Sequence, residues 1–435
     1  MQFQERLNNI SALQLFQLIR YGVLFATGVL LVKSGVRTIE IGVYETFLFV
    51  AGSVSFFWVN GIIQTMLAEK SGGVTNKSNL YFNVFILMSL CSLLMAVLLL
   101  VWRGSLSDSL LKGTQFNYWW LVVVYVLCSG PSNLMEYVYL KEKQNTAIVL
   151  YGGTVFALQL LVVVVPPMLG FDISYSLKGL VVLSVVKLFW VVFELRRFTL
   201  FQVDWTYQRE HIRLSVPLIG ATLLSGSAQY IDGYIVTSRF SETDFAIFRY
   251  GARELPLALL LANAFSSAMV AEVGESSASL VAMKIKNKSK QLINWLFPLS
   301  IVLMMMSHEL FPILFAPEFE TAATIFNIYL LLVVSRLVFP QTLLIGLKRT
   351  EEIMKASIVE LILNVSLSLI LVNYLGLSGI AIATVVAYWF EKWMLGRVLI
   401  KKYSIRWFEY IPVKHWLIYS IIISTVFVIL ELAIY

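Results

Sequence analysis

The sequence is short of charge. Asp, Glu, Lys and Arg make up 14% of its 435 residues, against roughly 25% in a soluble globular protein. With 33 Lys and Arg and 26 Asp and Glu, a chain of 49.3 kDa cannot build a water-soluble surface. That excludes a soluble enzyme, a disordered chain and a nucleic-acid binder. The net charge of +7 then reads as basic cytoplasmic loops. Cysteine and histidine are scarce as well. Cys91 and Cys128 lie in apolar stretches and read as buried free thiols, not as a disulfide framework. His211, His308 and His415 are far apart, and there is no HExxH, CxxC, GxGxxG or Walker-type loop. No metal or cofactor is expected. The polar stretch Met1 to Asn9 and the lack of a small-residue cleavage motif argue against a cleavable signal peptide, so the first apolar run reads as a span.

What the chain has is apolar length. Hydrophobic residues make up 59% of it. A helix needs about 20 such residues to cross the hydrocarbon. The runs that qualify are Ala12–Val32, Val43–Leu67, Leu80–Val101, Tyr118–Leu140, Ala147–Leu169 and Leu177–Phe193. After a polar stretch come Leu214–Val236, Ala246–Ala271, Leu292–Phe315, Ile325–Leu347, Ala356–Tyr374 and Leu377–Leu395. Trp416–Leu432 adds a thirteenth. The fold class expected is an all-α integral membrane protein of 12–13 transmembrane helices. With the N-terminus in the cytoplasm, the inner segments hold 22 Lys and Arg and the outer ones 6. That asymmetry selects this orientation. The outer loops are short and the inner ones too small for an enzyme, so function is expected among the spans.

The sequence also repeats. Gly42-Val43-Tyr44 opens the second span and Phe248-Arg249-Tyr250 the eighth. Tyr44 and Tyr250 are 206 residues apart. Leu169-Gly170-Phe171 and Leu375-Gly376-Leu377 share the same offset. Six spans and a linker therefore read as duplicated in parallel. The expected organisation is a six-helix lobe over 1–195, a cytoplasmic amphipathic linker over 196–213, a second lobe over 214–398, and an amphipathic segment plus thirteenth span over 399–435. Both linker segments mix aromatics with basic residues, as interfacial helices do.

At the motif level the chain resembles the polysaccharide flippases of the multidrug/oligosaccharidyl-lipid/polysaccharide exporter superfamily. The residues are Ile41-Gly42-Val43-Tyr44, Ile231-Asp232-Gly233-Tyr234, Tyr250-Gly251-Ala252-Arg253-Glu254-Leu255-Pro256, Ala316 to Ala323, and Gly376 to Thr384. The arginine spacing before Glu254 and the thirteenth span depart from the lipid II flippases of that superfamily, and argue against such a flippase. The resemblance implies two six-helix lobes around a central cavity that opens alternately to each side. It implies an undecaprenyl-pyrophosphate-linked oligosaccharide as substrate, as in O-antigen or capsule synthesis, in the bacterial cytoplasmic membrane. Expected partners are that lipid-linked substrate, membrane lipids, and a polysaccharide polymerase or glycosyltransferases.

Charges inside the hydrocarbon are costly and mark function or a partner. At 1.5 Å per residue, Arg20 stands about 12 Å into the first span, and Lys187 and Arg336 about 15 Å into the sixth and tenth. Arg249 and Arg253 are four apart and read as one helix face. Arg20, Arg253 and Arg336 are the expected cradle for a pyrophosphate, with Lys187 and Arg249 behind them. Asp232 and Glu254 are candidate ion-pair or coupling groups, while Glu136 and Glu360 stand near the inner face. Each cation has a plainer reading as a snorkelling or paired residue. Pro131, Pro217, Pro256, Pro298 and Pro340 fall inside spans, where each can bend a helix. An ion-coupled multidrug antiporter of the same fold remains an alternative, although it would want central acids. A membrane polymerase or acyltransferase is a third reading, disfavoured by the short outer loops. Reporter fusions after Lys143, Arg209, Lys288 and Lys402 should read cytoplasmic, and fusions after Lys112 and Ser241 outside. A cytoplasmic signal at Ser241 would overturn the span count.

Overall fold

A computed structural model of the chain describes residues 9–68, 79–109, 111, 116–253, 256–275, 278–347 and 349–431. Among these residues the regular structure is helical throughout. Contacts divide the chain into two compact units, Met1–Ala246 and Ile247–Tyr435. The first contains α1 (Asn9–Lys33), α2 (Thr38–Ser53), α3 (Phe56–Ala68), α4 (Leu80–Ser109), α5 (Trp119–Ser132), α6 (Leu134–Lys141), α7 (Asn145–Met168), α8 (Ile173–Leu195), α9 (Trp205–Gly226) and α10 (Ala228–Arg239). Helix α11 (Glu242–Gly251) carries the boundary. The second unit contains α12 (Pro256–Glu275), α13 (Ala278–Leu314), a 3₁₀ turn at Pro317–Phe319, α14 (Glu320–Leu330), α15 (Val333–Arg336), α16 (Pro340–Gly346), α17 (Thr350–Tyr403), α18 (Trp407–Tyr410) and α19 (Val413–Ile429).

Among the described residues, eight helices are long and apolar enough to cross a membrane, or nine if α2 and α3, bent by 46°, form one span. One of the eight, Thr350–Tyr403, is 54 residues long. It reverses at Gly376, whose φ of 56° and ψ of −135° no L side chain adopts readily. Its arms then pair antiparallel. Asn364 Nδ2 donates to Thr384 Oγ1 at 3.0 Å, and the Lys402 ammonium pairs with Glu352. Two expected spans are thus one helical hairpin. The seventh and eighth expected spans are broken into α9 with α10 and α11 with α12. The tenth is split into α14, α15 and α16, with Pro340 starting the last piece. Breaks of this kind are tolerated at membrane depth where protein surrounds them. Pro256 and Pro340 stand at helix starts, not in helix interiors as expected; there the missing amide hydrogen costs nothing. The thirteenth expected run falls on α19, an apolar helix of 17 residues, shorter than the eight counted above. Trp416 Nε1 donates to the Val334 carbonyl at 2.9 Å, and Tyr419 stacks on Phe297 at 5.6 Å. Just past α19, Glu431 takes hydrogen bonds from Asn327 at 2.6 Å and His308 at 2.9 Å.

Helices in lipid gain little from apolar contact alone, so close approach of small residues matters. In the first unit α9 lies along α3 this way. A Cβ on Gly61 would come within 2.7 Å of the Ile219 amide, and Ser215 donates to Thr65 Oγ1 at 2.9 Å. Helix α1 meets α7 where the Phe16 ring lies over Gly152 and against Phe156, 5.2 Å between centroids. The linker after α8 is docked on α4. Buried Asn83 donates to the Gln202 carbonyl at 3.0 Å and accepts from the Asp204 amide at 2.9 Å. Asp204 in turn caps α9, accepting from the amides of Thr206 and Tyr207. Leu200, Phe201, Val203 and Trp205 remain exposed, as an interfacial segment requires. Helix α8 is capped by Asp172, whose carboxylate accepts from the Ser174 amide at 2.9 Å. Hydrogen bonding from Ser174 holds that carboxyl below the usual range.

The glycines of the sequence repeat share a conformation. Gly170 has φ 83° and Gly376 φ 56°, and each reverses the chain between antiparallel arms. In the first unit the arms are α7 and α8, joined where Ser176 donates to the Val163 carbonyl at 2.7 Å. Replacing Gly376 with Ala should lower stability by about 1–3 kcal/mol, the cost of forcing a Cβ into that region. Gly153→Ala, where a Cβ meets open space inside α7, should be neutral or stabilising. Thermal unfolding of both purified variants in detergent measures the difference.

Candidate functional site

The first unit gathers charge inside its apolar bundle. The chain of α5 contains Pro131, which lacks an amide hydrogen, and the helix stops one residue later. The helix restarts as α6, and Glu136 lies in its first turn. An acid there sits at the positive end of the helix dipole. Glu136 is buried, at 9% exposure. The charges that act on it are those of Arg20 on α1 and Lys187 on α8. Lys187 in turn feels Glu136 and Arg20. Lys187 is half-buried and Arg20 is exposed. Tyr125 on α5 lies within electrostatic range of Arg20, and Tyr137 within range of both Glu136 and Arg20. Tyr151 on α7 is within range of Glu136, and its buried hydroxyl has no hydrogen-bond partner among the described residues.

Of the expected site residues, the structure brings Arg20 and Lys187 together and adds Glu136. Arg253 and Arg336 belong to the second unit, each stacked on a tyrosine. The Arg253 guanidinium lies 4.4 Å from the Tyr250 ring centre, and that of Arg336 4.5 Å from Tyr388. Arg336 ends α15, inside the broken tenth span. Arg249 is half-buried on α11. The expectation that Arg249 and Arg253 share a helix face fails, because α11 ends at Gly251 and Arg253 lies beyond it. Asp232 is buried on α10. Glu254 lies outside the described residues. Among the described residues, no group of three or more His, Cys, Asp or Glu is placed to hold a metal. Glu136 was missed as a site residue. Its signal was Gly130-Pro131-Ser132, which breaks the fourth span just before the acid.

A family model described as "Lipid II flippase MurJ" matches residues 145–435. The chain belongs to the MurJ family. That overturns the separation expected from the arginine spacing and the thirteenth span, neither of which sets the chain apart from this family. A solved "Lipid II flippase MurJ, inward closed conformation" superposes with a TM-score of 0.68 at 14% identity, covering 97% of this chain and 93% of that one. An inward-facing multidrug resistance MATE family transporter of the MOP superfamily superposes at 0.62 and 16% identity, covering 93% and 94%. A MOP superfamily transporter from Pyrococcus furiosus superposes at 0.56 and 15%, covering 97% of each. At these identities the likeness shows the fold. No curated protein matches the sequence. The chain is thus a multi-pass membrane protein of a lipid-linked flippase family with the MOP transporter fold.

In this MurJ family member, Arg20 and Lys187 lie within electrostatic range of one carboxylate. The cluster thus contains two basic groups and one acid. Arginine offers a planar fork to phosphate oxygens and lysine a point charge. The unsatisfied Tyr151 hydroxyl is a further donor close by. The same arithmetic makes Glu136 structural. Without it, two cations of the bundle oppose each other with no counter-charge. Glu136→Gln should lower thermal stability in detergent, by up to about 3 kcal/mol for the loss of one partner of a buried charge group. Adding Lys187→Met should recover much of that loss, because it removes the stranded charge. A double variant no more stable than Glu136→Gln alone would show that the two groups are not coupled.

Proposed function

We propose that the chain flips an undecaprenyl-pyrophosphate-linked oligosaccharide from the inner to the outer leaflet of the bacterial cytoplasmic membrane by alternating access. The observation that carries this reading is the net-positive cluster of Arg20, Lys187 and Glu136 inside a lipid-facing helical bundle. A pyrophosphate is the part of a lipid-linked glycan that most resists entry into a low-dielectric space. Fixed cations offset that cost, and one carboxylate offsets their mutual repulsion while no substrate is bound. Arg253 and Arg336, each against a tyrosine ring in the second unit, are further cations of this reading. Asp232 serves as an ion-pair or coupling group. The N-terminus lies in the cytoplasm, as the 22 to 6 division of Lys and Arg favours. The two six-span lobes of the repeat, 1–195 and 214–398, are the bodies that rock, and the linker over 196–213 joins them. The glycan comes from glycosyltransferases on the inner face and goes to a polymerase on the outer face. A cationic drug would want acids at middle depth, where this chain carries Arg20, Lys187 and Arg336.

A second reading concerns only the glycan. The family match over 145–435 favours lipid II, the substrate in that family's name. Complementation separates the two. The gene is introduced into one strain lacking its repeat-unit flippase and another depleted of its lipid II flippase. Rescue of the first alone supports a polysaccharide repeat unit, and rescue of the second alone supports lipid II. In whichever strain is rescued, Arg20→Ala and Arg336→Ala should each reduce export at least about tenfold, as loss of a hydrogen bond to a charged group implies. The protein level in the membrane should be unchanged. Lysine at either site should restore export only in part, since the charge stays and the bidentate fork is lost. Normal export by both alanine variants would place the pyrophosphate elsewhere.

A further inference from the structure

The second unit contains an apolar cavity of about 210 Å³ that the transport reading leaves unused. Its walls include Val338, Trp389, Lys392, Trp393, Trp407 and Trp416. It lies among the loop after α15, the second arm of α17, α18 and the start of α19. By the cytoplasmic charge bias of this region, it faces the inner leaflet. Water would find little to bond to there. The Ser335 hydroxyl donates to the Leu332 carbonyl at 3.1 Å. Lys392 donates to Gln341 at 3.1 Å and to Glu391 at 2.8 Å. The Trp416 indole donates to the Val334 carbonyl. A buried water needs two to four polar partners; Ser335, Lys392 and Trp416 are engaged within the protein, which leaves chiefly the indole N–H groups of Trp389, Trp393 and Trp407, donors set on apolar rings. The cavity suits a hydrocarbon chain.

The rim suits an anion. From position 392 to 415 the sequence has six Lys and Arg and one acid, Glu409. Lys392 and Lys402 are tied to Glu391 and Glu352. Arg397 is exposed, and no carboxylate among the described residues pairs with it. Its guanidinium lies instead 4.2 Å from the ring centre of Trp393, a wall of the cavity. A stacked guanidinium keeps its N–H edge directed outward for phosphate oxygens. An apolar slot with a cation fixed at its edge matches an acyl chain joined to a phosphate.

We propose that this cavity binds one anionic glycerophospholipid of the inner leaflet, with an acyl chain among the four tryptophans and the phosphate on Arg397. Flat indole walls favour an unbranched chain over a polyprenyl chain, which carries regular methyl branches. The lipid would fill the gap between α18, α19 and the broken tenth span, and so brace the end of that span.

The test uses the full chain purified in detergent, titrated with phosphatidylglycerol or phosphatidylcholine of matched acyl chains. Native mass spectrometry counts the lipids retained, and thermal unfolding follows their effect. One phosphatidylglycerol should be retained at least about fivefold more tightly than phosphatidylcholine, the discrimination one cation near an anionic headgroup supplies. It should also raise the melting temperature. Arg397→Gln should reduce phosphatidylglycerol retention to the phosphatidylcholine level and leave the lipid-free melting temperature unchanged. Val413→Trp, which adds bulk at a partly exposed position of the rim, should abolish retention of both. Equal retention of the two lipids, or undiminished retention by Arg397→Gln, would overturn the proposal. Displacement of phosphatidylglycerol by an equal concentration of undecaprenyl phosphate would overturn it as well, by assigning the cavity to the substrate's own tail. None of these readouts measures export, so failure here leaves the transport reading standing.

Discussion

Hydrocarbon offers no hydrogen-bond partner to a backbone amide or carbonyl, and the irregular parts of this chain are arranged under that constraint. Where α5 gives way to α6, the Asn133 amide still reaches the Ser129 and Gly130 carbonyls. Where the tenth span breaks, the amides of Leu331, Leu332 and Val334 to Val338 stay bonded to carbonyls three or four residues back. At the Gly376 reversal the arms close on each other, with Gly379 packed on the Leu371 carbonyl. Because the backbone remains satisfied through each break, the chain can place a polar side chain at depth without unravelling the span that carries it.

The charge cluster of the first unit depends on one such break. Stopping at Ser132 and starting again gives the carboxylate a first-turn position. Arg20 and Lys187 then supply the opposite charge from α1 and α8. Two cations thus share one carboxylate. In the second unit Lys392 and Lys402 also pair with carboxylates, and three arginines have aromatic faces beside them. Arg253, Arg336 and Arg397 lie on the faces of Tyr250, Tyr388 and Trp393. An aromatic face stabilises a guanidinium without neutralising it.

Much of the architecture follows from local chemistry, which is why it was legible from residues alone. Composition, span length and loop charge mark a multi-pass membrane protein, since each depends on transfer from water to lipid and not on neighbours. The Gly170 and Gly376 offset was equally readable, because a positive φ at a tight reversal is a property of one residue. The motifs carried the superfamily, and the family match moved the chain nearer to the lipid II flippases than its arginine spacing suggested.

What the sequence by itself determined is therefore the helical membrane class, the approximate spans, the charge asymmetry of the loops and Arg20 and Lys187 as cations set within apolar runs. What only the tertiary structure decided is which of those charges meet. Glu136, Arg20 and Lys187 are separated by more than a hundred residues at the extremes and stand on α6, α1 and α8. Their grouping depends on how α1 packs on α7 and α5 on α8, which hydropathy does not encode. The end of α11 at Gly251 and the breaks of the seventh and tenth spans were also decided there. A helix in lipid stops where surrounding protein satisfies its freed backbone groups, and that surrounding is assembled from segments distant in sequence.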